Sequence, residues 1–87
     1  MYSYKIRSKL EKSLQKLSKK NPKQSRIIKH KVQEICINPH RYKNLRKPLQ
    51  NLKRVHIDKS FVLLFSIDDK QKLVIIEDLD HHDNIYN

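Results

Sequence analysis

Residues 18–24 read SKKNPKQ, and the reading of that stretch decides the fold. Ahead of it, Leu10, Leu14 and Leu17 recur at helical spacing, and Ser8 with Glu11 forms an S-x-x-E capping box that would open a helix. Behind it, Ile28, Val32 and Ile35 make a second apolar stripe. Asn21 is a good N-cap for this second helix. Pro22 suits its first position, having no N–H to leave unpaired, and Gln24 stands third. The helix should stop near INPH, where Asn38-Pro39 breaks it. One helix therefore ends where the next begins, which predicts an antiparallel helical hairpin.

Outward from the hairpin the period changes. YSYKI (residues 2–6) alternates, and reads as a short strand with Tyr2, Tyr4 and Ile6 on one face. On the other side RYKNLRKPLQNL (residues 41–52) has no clean period, holds Pro48, and reads as loop. Three strand-like runs follow: RVHI (residues 54–57), FVLLFSI (residues 61–67) and KLVIIEDL (residues 72–79). The middle run is almost continuously apolar, as a strand covered on both faces would be. Asp58-Lys59 and residues 68–71 are short polar turns, although neither contains glycine. The order β-α-α-β-β-β predicts one α+β domain over residues 1–87. The helical hairpin packs on one face of a mostly antiparallel sheet that ends in a three-stranded antiparallel meander.

The totals bound the function. Eighty-seven residues make one modest core. The chain has no apolar run of membrane-spanning length, and its start goes straight into alternating YSYKIR without a signal-peptide pattern. The single cysteine, Cys36, falls among apolar residues and reads as a buried free thiol, which fits a reducing, cytoplasmic setting. The absence of glycine excludes a P-loop and a dinucleotide-binding fingerprint, both of which need it where backbone approaches phosphate. The formal charge of +11 is unevenly placed. Residues 1–59 hold 18 of the 20 Lys and Arg and 3 of the 9 Asp and Glu, a net of +15; residues 60–87 hold the rest, a net of −4. Such an excess attracts polyanions, nucleic acid foremost. Lysines that merely solvate helix faces are the plainer explanation.

Near the end the chain reads DHHDNIY (residues 80–86), two histidines between two aspartates with a tyrosine close behind. Taken alone it is an exposed tail, a weak metal site or the acid–base end of an active site. Adjacent histidines on a strand point to opposite sides, so His81, His82 and Asp80 do not readily converge on one ion. No metal and no cofactor is expected.

The ordered set of strand, helical hairpin, basic KPL segment, R-V-x-I strand, apolar strand and terminal H-x-x-x-I-Y resembles the RelE/ParE superfamily of type II toxin–antitoxin toxins. The closest likeness is to RelE-like members. The resemblance covers Tyr2 to Tyr86 and implies a RelE-like fold. It also implies a metal-independent, ribosome-dependent endoribonuclease, an mRNA interferase that cuts messages in the ribosomal A site. A RelB-like antitoxin would hold it inactive in a heteromeric complex. ParE-like relatives poison DNA gyrase instead, and a basic RNA-binding module without catalysis is the third alternative.

Metal-free RNA cleavage needs a base for the 2′-OH, an acid for the leaving 5′-oxygen and fixed positive charge on the phosphorane. The resemblance puts His82 where many relatives carry arginine, making it the candidate acid, with Asp80 and Asp83 favouring its protonated form. Tyr86 falls at the family tyrosine and could stack on a base. Arg54 matches the arginine on the scissile phosphate, where bidentate geometry suits it. Facing the core instead, it would be salt-bridged scaffold. Lys43, Arg46 and Lys47 fall where relatives keep lysines on the RNA backbone, and Lys47 is the lysine assigned to catalysis. Their plainer role is to grip ribosomal RNA. His56 stands where many relatives have a second arginine, and Phe61-Val62 replaces a Y-R pair, so two phosphate-side arginines are missing. His56 and His81 join the phosphate-binding set, with His81 packing or orienting rather than reacting.

Overall fold

The computed structural model describes residues 1–59 and 61–81, with the side chain of His81 left out. Strand β1 (Ser3–Ile6) leads into helix α1 (Ser8–Lys20), which turns directly into α2 (Pro22–Ile37). A 3-10 turn (Pro39–Arg41) and an extended segment then lead to β2 (Lys53–Ile57), β3 (Phe61–Asp68) and β4 (Leu73–His81). The four strands form one sheet in the order β1-β4-β3-β2, antiparallel through the meander and parallel between β1 and β4. The α+β arrangement expected from the sequence is the one observed. Among the described residues, no helix is long and apolar enough to cross a membrane.

The hairpin hinges on Asn21, whose side chain accepts a hydrogen bond from the Gln24 N–H at 3.2 Å, with Pro22 in the first helical turn. The Asn21 N–H in turn reaches the Leu17 carbonyl at 2.7 Å, so one residue closes α1 and opens α2. At the other end of α1 the expected capping box does not form. The N-cap is Arg7, with no side-chain cap bond, and Ser8 is already helical. The physical reason lies in β1. The Arg7 N–H bonds the Ile76 carbonyl at 3.1 Å, extending the strand ladder to the helix border and leaving no free residue for Ser8 to cap.

The main core lies between the hairpin and one face of the sheet. Leu10, Ile28, Val32, Ile35 and Cys36 from the helices meet Ile57, Leu63, Phe65, Val74 and Ile76 from the strands. Tyr42 packs edge-on against Phe65, with ring centroids 5.7 Å apart. Burial pushes the Cys36 thiol up from its ordinary value, so it stays a neutral packing group. On β1, Tyr2 and Ile6 pack against this core as expected, whereas Tyr4 is 51% exposed at the sheet edge.

Both turns manage without glycine by taking left-handed conformations at other residues, Asp58 at φ 57° and Lys72 at φ 54°. Aspartate tolerates that region; lysine does so at a cost that local anchoring offsets. In the β3–β4 turn the Gln71 N–H bonds Asp68. Tyr2 OH donates to Asp69 Oδ1 at 2.7 Å, and His40 Nε2 lies 2.8 Å from the same oxygen. Those two hydrogen bonds hold the Asp69 carboxyl below its usual range, and the Asp69 contact raises the Tyr2 phenol.

Two expectations are corrected here. Residues 41–52 are not plain loop: Asn44 bridges to Lys53, and the Leu45 N–H bonds the Leu52 carbonyl at 2.9 Å. Leu45 is buried, together with Val62 and Leu64 and with Leu52 packed beside them, on the sheet face away from the helices. That burial is why an aperiodic segment adopts a defined path. The last strand also runs two residues past Leu79, to His81, because Asp80 pairs with Val62 and His81 with Phe61.

Candidate functional site

The face away from the helices is where the chemistry collects, and a β-bulge decides what stands on it. Along β3, Leu63 and Phe65 point to the helices while Val62 and Leu64 point away. Residues paired across a sheet share a face. Arg54 pairs with Leu64 and His56 with Val62, so both belong to the open face. On β4, strict alternation from Ile76 would turn Asp78 and Asp80 into the core. The register instead shifts between Leu64 and Phe65, leaving Glu77 without an opposite residue. Beyond the shift Asp78 pairs with Leu64 and Asp80 with Val62. Leu79 is thereby turned toward the main core, and the two aspartates join Arg54 and His56.

Two rows result. In one, Arg54, Leu64 and Asp78 run across β2, β3 and β4; in the other, His56, Val62 and Asp80 do the same. The first row is extended by Lys43, whose carbonyl accepts the Arg54 N–H at 3.2 Å. Cations occupy the β2 edge, carboxylates the β4 side, and Leu45, Val62, Leu64 and Leu52 form the apolar floor. Arg54 is half-buried and His56 exposed. The scaffold alternative for Arg54, facing the helix-side core, is not what the register gives.

The segment carrying the other cations is stapled down by residues that do not face RNA. Lys53 Nζ bonds the Tyr42 carbonyl at 2.9 Å and Asn44 Oδ1 at 2.7 Å, and the Asn44 amide bonds the Gln50 carbonyl. Lys43, Arg46 and Lys47 remain exposed. For Lys47 this removes the burial that would turn a lysine into a base, and leaves it a solvated cation beside the open face. At the bulge, Arg7 Nε donates to Glu77 Oε1 at 2.8 Å and Ser66 Oγ to Glu77 Oε2 at 2.6 Å. Arg7 above all, then Ser66, holds the Glu77 carboxyl below its ordinary value.

The structure thus brings Lys43, Arg54 and His56 together, with Arg46 and Lys47 on the adjoining segment. His81 closes β4, its backbone opposite Phe61. His82 and Tyr86, with Asp83, lie outside the described residues. Sequence reasoning missed the carboxylate side of the face. Its signal was the pair Glu77-Asp78 between Ile76 and Leu79, two polar residues in succession where a regular strand alternates.

Over residues 4–86 the chain matches the model of a family described as the ParE toxin of the type II toxin–antitoxin system parDE. The chain belongs to this toxin family. The RelE-like branch of it is represented by a Methanocaldococcus jannaschii protein provisionally named toxin RelE4, 58% identical over 86 residues, which span 99% of this chain and 92% of the relative. The toxin–antitoxin complex RelBE2 from Mycobacterium tuberculosis superposes with a TM-score of 0.69 at 27% identity, over 93% of this chain and 91% of the other. The isolated Escherichia coli RelE toxin gives a TM-score of 0.75 at 17% identity, over 93% and 84%, a likeness of fold alone. This chain is therefore a type II toxin of the RelE/ParE superfamily with a RelE-like fold.

Proposed function

We propose that this toxin is a ribosome-dependent mRNA endonuclease acting in the cytoplasm by 2′-OH attack without a metal. The observation that supports the reading is the file of Lys43, Arg54 and His56 along the β2 edge of an open sheet face. A single-stranded message laid there would meet Arg54 as a bidentate phosphate ligand, with His56 beside it and Lys43, Arg46 and Lys47 on the flanking backbone or on ribosomal RNA. His82 serves as the acid that protonates the leaving 5′-oxygen, Tyr86 stacks on a base, and His81 orients. The charge of +11 supplies the long-range attraction to the ribosome.

The test is to incubate the free protein with programmed ribosomes and map the cut ends. Expected products carry a 2′,3′-cyclic or 3′-phosphate upstream and a 5′-OH downstream; a 5′-phosphate would sink the mechanism, because metal-bound water generally leaves that end. Cleavage should be indifferent to chelator. His82→Ala should lower the rate about 10²–10⁴-fold, the usual worth of an acid–base group, with ribosome binding retained. The family model is described for ParE toxins, and a gyrase poison or a non-catalytic RNA binder would instead leave messages intact.

The partner in this reading is a small RelB-like antitoxin. Tyr4, Ile6, Leu14, Ile28, Val32 and Ile76 line an apolar groove where α1, α2 and the β1 edge meet, and Lys9, Lys12 and Lys16 are exposed along α1. An amphipathic helix with an acidic outer face suits such a groove. Co-expression with the neighbouring open reading frame should yield a complex that survives high salt, since apolar burial is not screened. Separation at moderate salt would count against the partner.

A further inference from the structure

The geometry points to Asp80 as the general base that takes the 2′-OH proton. The assignment rests on the RNA-cleavage reading above and names a group that reading lacks, since Lys47 is exposed and its positive charge makes it a phosphate ligand rather than a base. Three observations carry it. The bulge at Glu77 moves Asp80 from the core side of β4 to the open face. There it pairs with Val62, which pairs with His56, so carboxylate and imidazole stand on one row with a small apolar residue between them. The other carboxylates of the region are turned elsewhere. Glu77 is held by Arg7 and Ser66, Asp78 Oδ1 accepts the Leu79 N–H at 2.9 Å, and Asp58 sits exposed in the turn after β2.

The spacing fits the reaction. Residues two strands apart are separated by about 10 Å at their Cα atoms. A hydrogen bond from His56 to a phosphate oxygen, a near-attack approach of the 2′-oxygen to phosphorus and a hydrogen bond from the 2′-OH to a carboxylate together span roughly the same length. Val62 is fully buried and makes the floor beneath them. The charges also fix the direction in which RNA lies. Phosphate is drawn to Arg54 and His56 and repelled from the β4 carboxylates, which leaves the ribose on the Asp80 side.

In the step, the Asp80 carboxylate accepts the 2′-OH proton as the 2′-oxygen bonds to phosphorus. The bond from phosphorus to the 5′-oxygen breaks, and that oxygen takes a proton from the acid. The products are a 2′,3′-cyclic phosphate and a 5′-OH, with the proton on Asp80 passing to solvent afterwards.

The test is single-turnover cleavage on programmed ribosomes. Asp80→Asn should cleave about 10²–10⁴-fold more slowly than the wild type, with ribosome binding and melting temperature unchanged. Asp80→Ala should be equally slow and partly restored by added formate, a small carboxylate able to enter the vacated space. Asp78→Asn, on the neighbouring row, should stay within about threefold of the wild-type rate. Wild-type-like cleavage by Asp80→Asn, or an Asp80→Ala protein that formate does not help, overturns the assignment while leaving the nuclease reading intact. A wild-type protein that cleaves no message overturns both.

Discussion

The two faces of the sheet are built on opposite terms. The face toward the helices is covered along its length, and its largest side chains, Phe65, Ile57, Leu63 and Ile76, are almost completely withdrawn from water. The opposite face is covered only where Leu45 and Leu52 lie over Val62 and Leu64. Around that small floor it keeps Arg54, His56, Asp78 and Asp80 at half-buried or exposed positions. One face holds the fold together and the other is free to carry charge. The difference teaches that stability and function are separated here by the pleat of the same strands, since each change of face costs only one residue along the chain.

The separation can be broken most forcefully at Phe65. Phe65→Ala should destabilise the protein by about 3–5 kcal/mol, the usual effect of emptying a buried aromatic site. That is a large share of the total stability of a domain this size. Urea denaturation should show the loss, and cleavage should fall only in proportion to the protein unfolded. A smaller effect is expected on the other face. Leu45→Ala should cost about 2 kcal/mol or less, because its cluster is small and near the surface. It should lower cleavage further than unfolding explains, since the segment that places Lys43 beside Arg54 would lose its anchor. Equal losses of stability at Phe65 and Leu45 would show that the two faces are not as different as their burial suggests.

The smallest effect sharpens the comparison at the bulge. The Glu77 carboxyl is held below its ordinary value of 4.5 by Arg7 and then Ser66. A carboxyl lowered on folding contributes stability that is complete above its unfolded value and is lost as pH falls through its folded one. The wild type should therefore exceed Glu77→Gln in stability near neutrality by a small margin, small because the pair is largely exposed to solvent. That margin should shrink from about pH 5 down to about pH 3. Thermal melts of the two proteins across this range check it; a margin that grows toward low pH would contradict the assigned ion pair.

Most of the architecture was legible because its signals are local. Asn21 and Pro22 act on the residues beside them, and the apolar stripes at Leu10, Leu14 and Leu17 and at Ile28, Val32 and Ile35 need only helical geometry to find one face. The capping box at Ser8 failed because Arg7 was claimed by a long-range ladder bond to Ile76, which no local pattern announces. The candidate site was legible in its cations and not in its carboxylates. Arg54 and His56 lie on a regular strand, so their common face follows from their spacing of two. Asp78 and Asp80 reach that face only through the bulge, and the bulge exists because Leu79 is accepted by the core on the far side of β4.

By itself, then, the sequence determined the helical hairpin, the order of strands, the charge of +11 and the membership of residues 54 and 56 in one face. Each of these depends on neighbours in the chain, or on totals that folding does not alter. Only the tertiary structure decided the parallel pairing of β1 with β4, the closing of the segment around Leu45 over Val62 and Leu64, and the transfer of Asp80 to the side of His56. Those features depend on which distant residues share a strand pair and which side chains the core admits, and both are properties of packing in three dimensions rather than of order along the chain.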